Sequence, residues 1–395
     1  MTANGRPLRV AMIGHGFMGA AHSQAWRTAP RFFDLPRPIE MAVVTGRHEE
    51  SLRASAERLG WAETDTDWRR VVERDDIDLV DVVAPGNAHA EIAIAALEAG
   101  KHVLCEKPLA NTVAQAQAMA EAAGKAVERG VFAMVGFTYR RVPAVTLARD
   151  LVQAGEIGEV RQTRAVYLQD WLSDENAPLT WRMDRAVAGS GALGDIGAHI
   201  VDAVQFVTGQ QLTGVSGTTR TFVTERPVLE TSVGLSGTAG DRRGPVTVDD
   251  AALFFGSLSG GGLATFEATR MAPGRKNALR FEISGTEGAV AFDLEDLNTL
   301  QFFRFADGPT AGFRRVLVTE PDHPYAGAWW PPGHVLGYEH AFSHQVVDLV
   351  RALDAGEQPR PSFDEGLQVQ RVLAAVEESA AAQAGWTPVD EHQPR

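Results

Sequence analysis

Six residues near the N-terminus limit what this chain can fold into. Gly14-His15-Gly16-Phe17-Met18-Gly19 has G-x-G-x-x-G spacing and joins the apolar run Leu8–Ile13 to the helix-compatible stretch Ala20–Ala29, which Pro30 is expected to stop. In such a loop the first glycine permits a tight turn and the second lets backbone amides approach a pyrophosphate. The third lets the helix pack on its strand. The phosphate charge then sits at the helix N-terminus, around Phe17 and Met18, where unbonded N–H groups point. Alone the hexapeptide is a weak signal. Its flanks, and the pattern of the next hundred or so residues, make it a strong one for a dinucleotide-binding unit.

That pattern is alternation. Strand-like runs at Ile39–Thr45, Ile77–Ala84, Lys101–Cys105 and Val131–Gly136 are separated by helix-like runs at Ser51–Leu59, His89–Ala99 and Thr112–Arg129. Strands alternating with helices predict βαβ units and a parallel sheet covered on both faces. After about residue 140 the pattern changes. A helix near Ala144–Ala154 leads to a strand at Glu159–Gln169, and a glycine-rich turn at 188–194 introduces a helical stretch, Asp195–Val207. Strands are then expected at Thr218–Thr224, Ala251–Leu258, Leu263–Thr269, Leu279–Ser284, Ala289–Asp293 and Thr299–Phe303. Gly/Pro-rich stretches at 239–245 and 319–333 read as exposed loops, and two helices, Tyr338–Leu353 and Asp364–Ala384, close the chain. The expected fold is a Rossmann domain over residues 1–140 and an α+β domain over 141–395. The second domain carries a large open, mainly antiparallel sheet, and helix 364–384 is expected to pack back on the first.

Composition narrows the partners. The 395 residues include 37 basic and 51 acidic side chains, a net charge of −14, which disfavours nucleic acid and anionic membrane surfaces. Hydrophobic content of 44% and charged content of 22% fit a globular protein rather than a disordered or fibrous one. Cys105 is the single cysteine, so no internal disulfide can form, as in a reducing compartment. Met1–Pro7 has no apolar signal core and no run approaches a membrane span, so a cytoplasmic protein is expected. No metal site is expected. The 11 histidines are scattered, and His340 and His344, at i and i+4 beside Glu339, lack a third ligand.

Four segments together carry a resemblance: AMIGHGFMGAAHSQAW (11–26), APGNAHAE (84–91), GKHVLCEKPLA (100–110) and GDIGAHIVD (194–202). In order and over essentially the whole chain, the sequence resembles the Gfo/Idh/MocA family of nicotinamide-dependent sugar and cyclitol oxidoreductases. Segments 167–172, 179–199 and 248–285 most resemble its branch that oxidises glycosides and anhydrosugars such as levoglucosan at C3. The resemblance implies that Lys107, in Glu106-Lys107-Pro108, is the catalytic-site lysine, and that Asp195 and His199 form the D-x-x-x-H pair. It implies a cofactor site of Gly14, Gly16, Phe17, Met18, Gly19, Arg47, Pro85, Asn87, His89, Glu106 and Lys107. Gly86-Asn87 departs from the pattern, since many members carry asparagine directly after the proline. The branch implies NAD. No carboxylate follows the second strand, however, and Arg47 would suit a 2′-phosphate, stack on adenine or merely end the turn, which leaves NADP open. A homodimer or homotetramer is implied.

Oxidising a secondary alcohol removes a hydride from carbon and a proton from oxygen, so a base must meet the hydroxyl. His199 titrates in the right range. Asp195, four residues earlier, would share its helical face, to orient the ring or bind the sugar. Lys107 would stabilise developing alkoxide charge or exchange the proton itself, so lysine and histidine both remain candidates for the base. Pro108 is expected to follow a cis bond. Tyr139, Gln169, Trp171, Arg182 and His334 join these three as candidate sugar contacts, because tryptophan packs on pyranose C–H faces while amide and guanidinium groups read hydroxyls. His22 is expected near the cofactor or in a structural role. His89 would either cap its helix or line the nicotinamide loop. The rival readings are an inositol dehydrogenase, a redox-neutral NAD-assisted glycoside cleavage, and a non-catalytic sensor of dinucleotide and sugar.

Overall fold

A computed structural model describes residues 5–233 and 236–389. The chain opens with β1 (Leu8–Ile13), α1 (Phe17–Phe32), β2 (Ile39–Thr45), α2 (Glu49–Leu59), β3 (Glu63–Asp65), α3 (Trp68–Val72) and β4 (Leu79–Val82). It continues with α4 (His89–Glu98), β5 (His102–Cys105), α5 (Val113–Val127), β6 (Ala133–Val135), α6 (Pro143–Gln153) and β7 (Val160–Leu168). Next come α7 (Arg185–Ala188), α8 (Ala198–Thr208), β8 (Leu212–Arg220), β9 (Glu225–Val233), β10 (Ser236–Pro245), β11 (Ala251–Leu258) and β12 (Leu263–Thr269). The last elements are β13 (Ala278–Gly285), β14 (Gly288–Asp293), β15 (Thr299–Arg304), β16 (Arg314–Leu317), α9 (Tyr338–Ala355), α10 (Phe363–Ala381) and β17 (Thr387–Pro388).

These elements form two compact units. Unit 1 holds residues 1–138 and 338–367, and unit 2 holds 139–337 and 368–395. Unit 1 is a six-stranded parallel sheet in the order β3-β2-β1-β4-β5-β6. Chain order reverses at β1, between β2 and β4, which creates the crevice at the strand carboxyl ends where such sheets bind ligands. Strand residues Leu8, Val10, Met12, Leu79 and Leu104 are fully buried, and Trp26 and Ala29 of α1 pack with Phe342, Val346 and Val350 of α9. The stretch that returns to unit 1 is therefore α9 with the first turn of α10. Helix α1 also continues past Pro30 to Phe32, beyond the stop expected there. Proline removes one N–H near the helix end, but its fixed φ suits the helix, and the Phe33 N–H closes the turn on the Ala29 carbonyl at 3.0 Å.

Unit 2 is a nine-stranded sheet in the order β16-β15-β14-β13-β7-β12-β11-β8-β17, antiparallel except for the parallel pair β7–β12. The large open, mainly antiparallel sheet is as expected from the strand runs. Strand β8 begins six residues earlier than anticipated and runs through Gly214 and Gly217. An added Cβ would lie 2.5 Å from Trp386 at Gly214 and 2.4 Å from Phe254 at Gly217, so glycine here admits large neighbours rather than a turn. Stretch 239–245, expected as a loop, belongs to β10 of a two-stranded ribbon with β9. One face of β11 and β12 leaves Leu253, Phe255 and Leu263 about half exposed. Among the described residues, no helix is long and apolar enough to cross a membrane.

Candidate active site

The glycine loop of unit 1 has the geometry its spacing implies. Gly14 takes φ +110°, and a Cβ there would lie 2.9 Å from the Val83 carbonyl, so only glycine makes this turn. A Cβ on Gly19 would meet the Gly14 carbonyl at 2.9 Å, which is the close helix–strand approach. Gly16 differs: a Cβ there would meet nothing within 4 Å. No packing within the protein requires glycine at that point, whereas a phosphate drawn close to the backbone would. Gly16 also caps α1 with no side-chain hydrogen bond, so the donors of the first turn are not taken by a capping side chain. The loop thus fits a dinucleotide. His15 turns aside, its Nδ1 3.1 Å from the Ser55 hydroxyl and its ring against Gly46. Arg47, past the end of β2, is exposed, and Phe17 and Met18 open α1.

The loops after β4 and β5 carry the next group. Pro85 and Asn87 are exposed, and the Gly86 departure leaves room for the Asn111 side chain, whose Oδ1 would lie 2.6 Å from an added Cβ. His89 does not cap α4. Its buried ring lies 2.8 Å from the Ala84 carbonyl and 3.0 Å from the Pro108 carbonyl, tying the two loops together. Burial holds its pKa below the ordinary value against those two acceptors. Lys107 is half-buried and the Lys107–Pro108 peptide is cis. Cys105, at the end of β5, is fully buried, and burial pushes its thiol up, which suits packing rather than reaction.

Beneath the lysine lies a cluster of buried ionisable groups. His22 Nδ1 is 2.9 Å from Asp81 Oδ2, its Nε2 is 3.0 Å from Glu106 Oε1, and the Trp26 indole donates to Asp81 at 2.7 Å. Burial opposes a charged His22, but the charge and hydrogen bonds of Asp81, then of Glu106, outweigh it and push the pKa up to about 10. Since the folded pKa exceeds the ordinary 6.5, this pairing stabilises the fold fully below that value and is lost as pH rises through about 10. The thermal midpoint of the wild type should therefore fall more between pH 9 and 11 than that of His22→Gln. Parallel curves in a differential-scanning pH series would refute this.

Unit 2 holds the D-x-x-x-H pair. Asp195 lies not on an α-helix but on a π-helical turn, Leu193–Gly197, which runs into α8 with the Ala198 N–H reaching back to the Leu193 carbonyl. Such turns recur where a helix must present a functional group. The turn is pinned from outside: Asp249 accepts the Gly191 N–H at 2.7 Å and the Leu193 N–H at 2.8 Å. Fully buried Arg270 places Nη1 3.6 Å from Asp195 Oδ2, donates to the Asp249 carbonyl at 3.1 Å, and lies 5.5 Å from the Trp171 ring. Asp202, one turn past His199, is committed elsewhere. It is buried with Arg140, whose Nη2 and Nε donate to it at 2.6 and 2.9 Å.

His199 packs against Tyr139, ring centroids 4.7 Å apart, and near Tyr167 at 5.9 Å. From there a chain of hydrogen bonds crosses the sheet. Tyr167 donates to Asn277 Oδ1 at 2.7 Å, so Tyr139 must donate to the Tyr167 oxygen at 2.8 Å. Gln169 also donates to Asn277 Oδ1, at 2.8 Å, and the Trp171 indole donates to Gln169 at 2.8 Å. Tyr139, Gln169, Trp171 and His199 are thus joined through Tyr167 and Asn277, which lie in the resembling segments 167–172 and 248–285 but carry no expected role of their own. Trp171 is 40% exposed, so core packing does not account for it. Arg182 instead stacks on Trp181 at 4.4 Å, and exposed His334 bonds the Pro331 carbonyl at 2.9 Å in the loop before α9. Among the described residues, no three His, Cys, Asp or Glu side chains are grouped to hold a metal ion.

Comparison with known proteins gives two family matches. Residues 8–137 match the oxidoreductase family model with an NAD-binding Rossmann fold, and residues 145–291 match the GFO/IDH/MocA C-terminal domain. Levoglucosan dehydrogenase of Pseudarthrobacter phenanthrenivorans is 40% identical over 97% of this chain and 98% of its own length. A crystal structure of an oxidoreductase domain protein from Kribbella flavida is 61% identical, with a TM-score of 0.93 over 98% of this chain and 100% of its own. A structure of levoglucosan dehydrogenase in complex with NADH and levoglucosan is 39% identical, with a TM-score of 0.91 over the same shares.

Proposed function

Because the chain belongs to the GFO/IDH/MocA family of oxidoreductases with an NAD-binding Rossmann fold, we propose that it oxidises a ring hydroxyl, at C3, of an anhydrosugar or glycoside. The observation that carries this reading is the full-length similarity to levoglucosan dehydrogenase. The tyrosine–asparagine–glutamine–tryptophan chain beside His199 supports it, since it offers an aromatic face together with hydroxyl-reading amides.

Bound NAD supplies the hydride acceptor. The residues of this chain do the rest. Lys107 donates to the reacting oxygen and stabilises alkoxide charge. His199, packed against the tilted Tyr139 ring, takes part in moving the hydroxyl proton, and Asp195 accepts from a sugar hydroxyl or orients the ring. Gln169 and Trp171 hold the sugar, with Arg182 and His334 as outer contacts. NAD is the working cofactor, and exposed Arg47 would face its adenosine end. The half-exposed apolar face of β11 and β12 supports a homodimer or homotetramer, and the lone buried cysteine supports a cytoplasmic enzyme.

NADH absorbance should appear when the enzyme and NAD are mixed with levoglucosan or a glucoside, with NADP giving a weaker signal. Silence across sugars, anhydrosugars, glycosides and cyclitols with both cofactors would overturn the reading. Conversion without net NADH would point to redox-neutral cleavage instead.

A further inference from the structure

Three ionisable side chains sit in the core of unit 1 with no part in the chemistry above. His22 is 2% exposed, Asp81 0% and Glu106 4%. Each comes from a different element: His22 from α1, one turn beyond the glycine loop, Asp81 from β4, and Glu106 from the end of β5. Both ring nitrogens of His22 face a carboxylate, at 2.9 Å and 3.0 Å. A neutral ring has one N–H and would turn a lone pair toward one of the two carboxylates, so the contacts suit a ring that donates from both sides. Glu106 is then divided between two tasks. Its Oε1 accepts from His22, while its Oε2 accepts the backbone N–H of Lys107 at 3.2 Å. Gly136, at the end of β6, makes room for this: a Cβ there would come within 2.7 Å of Glu106 Oε1.

Packing alone does not explain such a cluster. Apolar side chains of equal volume would fill the space without the cost of removing three charges from water. What the ionic version adds is direction, because Glu106 gives one carboxylate oxygen to His22 and the other to the Lys107 N–H. We propose that His22 is a positioning residue for the active-site lysine: clamped between Asp81 and Glu106, it fixes the Glu106 carboxylate that holds the Lys107 backbone. The phosphate-binding helix and the catalytic loop are thereby set by one side chain. The inference rests on Lys107 having the role given it above.

The test compares His22→Gln, Glu106→Gln and the double variant of the full-length enzyme at saturating NAD and sugar. His22→Gln should lower kcat about tenfold or more, since small misplacements of a reacting group are costly, while NADH affinity stays near wild type. Because His22 acts through Glu106, the double variant should be no slower than Glu106→Gln alone. Hydrogen exchange at the Lys107 amide, read by mass spectrometry on peptides spanning 104–109, should speed up in both single variants. Unchanged kcat in His22→Gln overturns the proposal, as do losses that multiply in the double variant or exchange that stays slow. Should the wild type turn over no sugar, the functional reading fails while the exchange experiment still decides the His22–Glu106–Lys107 link.

Discussion

Lys107→Met should lower kcat by about a hundred- to a thousandfold while NADH binding and the thermal midpoint stay near wild type. Methionine keeps the length and much of the apolar stem of lysine but has no proton to donate and no charge. Lys107 follows β5 at the carboxyl ends of the parallel strands, where ligands of such sheets bind, and is half-buried, so its ammonium is partly shielded from water. Its backbone is held independently of its side chain, by the Glu106 carboxylate, so the loop should survive the exchange. Steady-state kinetics and quenching of protein fluorescence by NADH check the two halves of this expectation. Full turnover in the variant would remove Lys107 from the mechanism.

Asp249→Ala should cost both stability and activity. The lost carboxylate accepts two buried backbone N–H groups, from Gly191 and Leu193, and each one orphaned costs about 1–3 kcal/mol. Those amides anchor the π-helical turn that carries Asp195 and leads into the helix of His199, so the D-x-x-x-H pair should lose its fixed position. Asp249→Asn keeps one good acceptor and should fall between wild type and alanine. Urea unfolding measures the first effect and kcat the second. An alanine variant with an unchanged midpoint would show that the turn holds itself.

The glycine loop, the parallel strands and the antiparallel runs were legible because each is a local pattern: a turn that only glycine makes, or apolar residues at a fixed period. Lys107, Asp195 and His199 are proposed for the site only through resemblance, since a lone lysine or histidine has no local signature. Asn277 and Arg270 lie in the resembling segment 248–285, but nothing there marks either residue individually. They reach Tyr167, Gln169 and Asp195 because β7 lies between β12 and β13, a pairing between segments about a hundred residues apart. The Asp249 clamp and the π turn it fixes are likewise contacts across long separations. Sequence spacing puts Asp195 and His199 on one face of a regular helix, because nothing in the string of residues announces an extra residue per turn. Gly214 and Gly217 lie in β8 ahead of its expected start, each against a bulky neighbour, Trp386 or Phe254, that nothing local announces.

Helix α9 has a consequence for synthesis. Trp26 and Ala29 of α1 find their apolar cover in Phe342, Val346 and Val350, which come after all but the last part of unit 2 in the chain. A ribosome releases the phosphate-binding sheet early, yet the seal for its α1 flank arrives only with α9, after most of unit 2. The nascent dinucleotide unit must wait with a greasy flank open, so the synthesis of α9, rather than the making of its own strands, completes it.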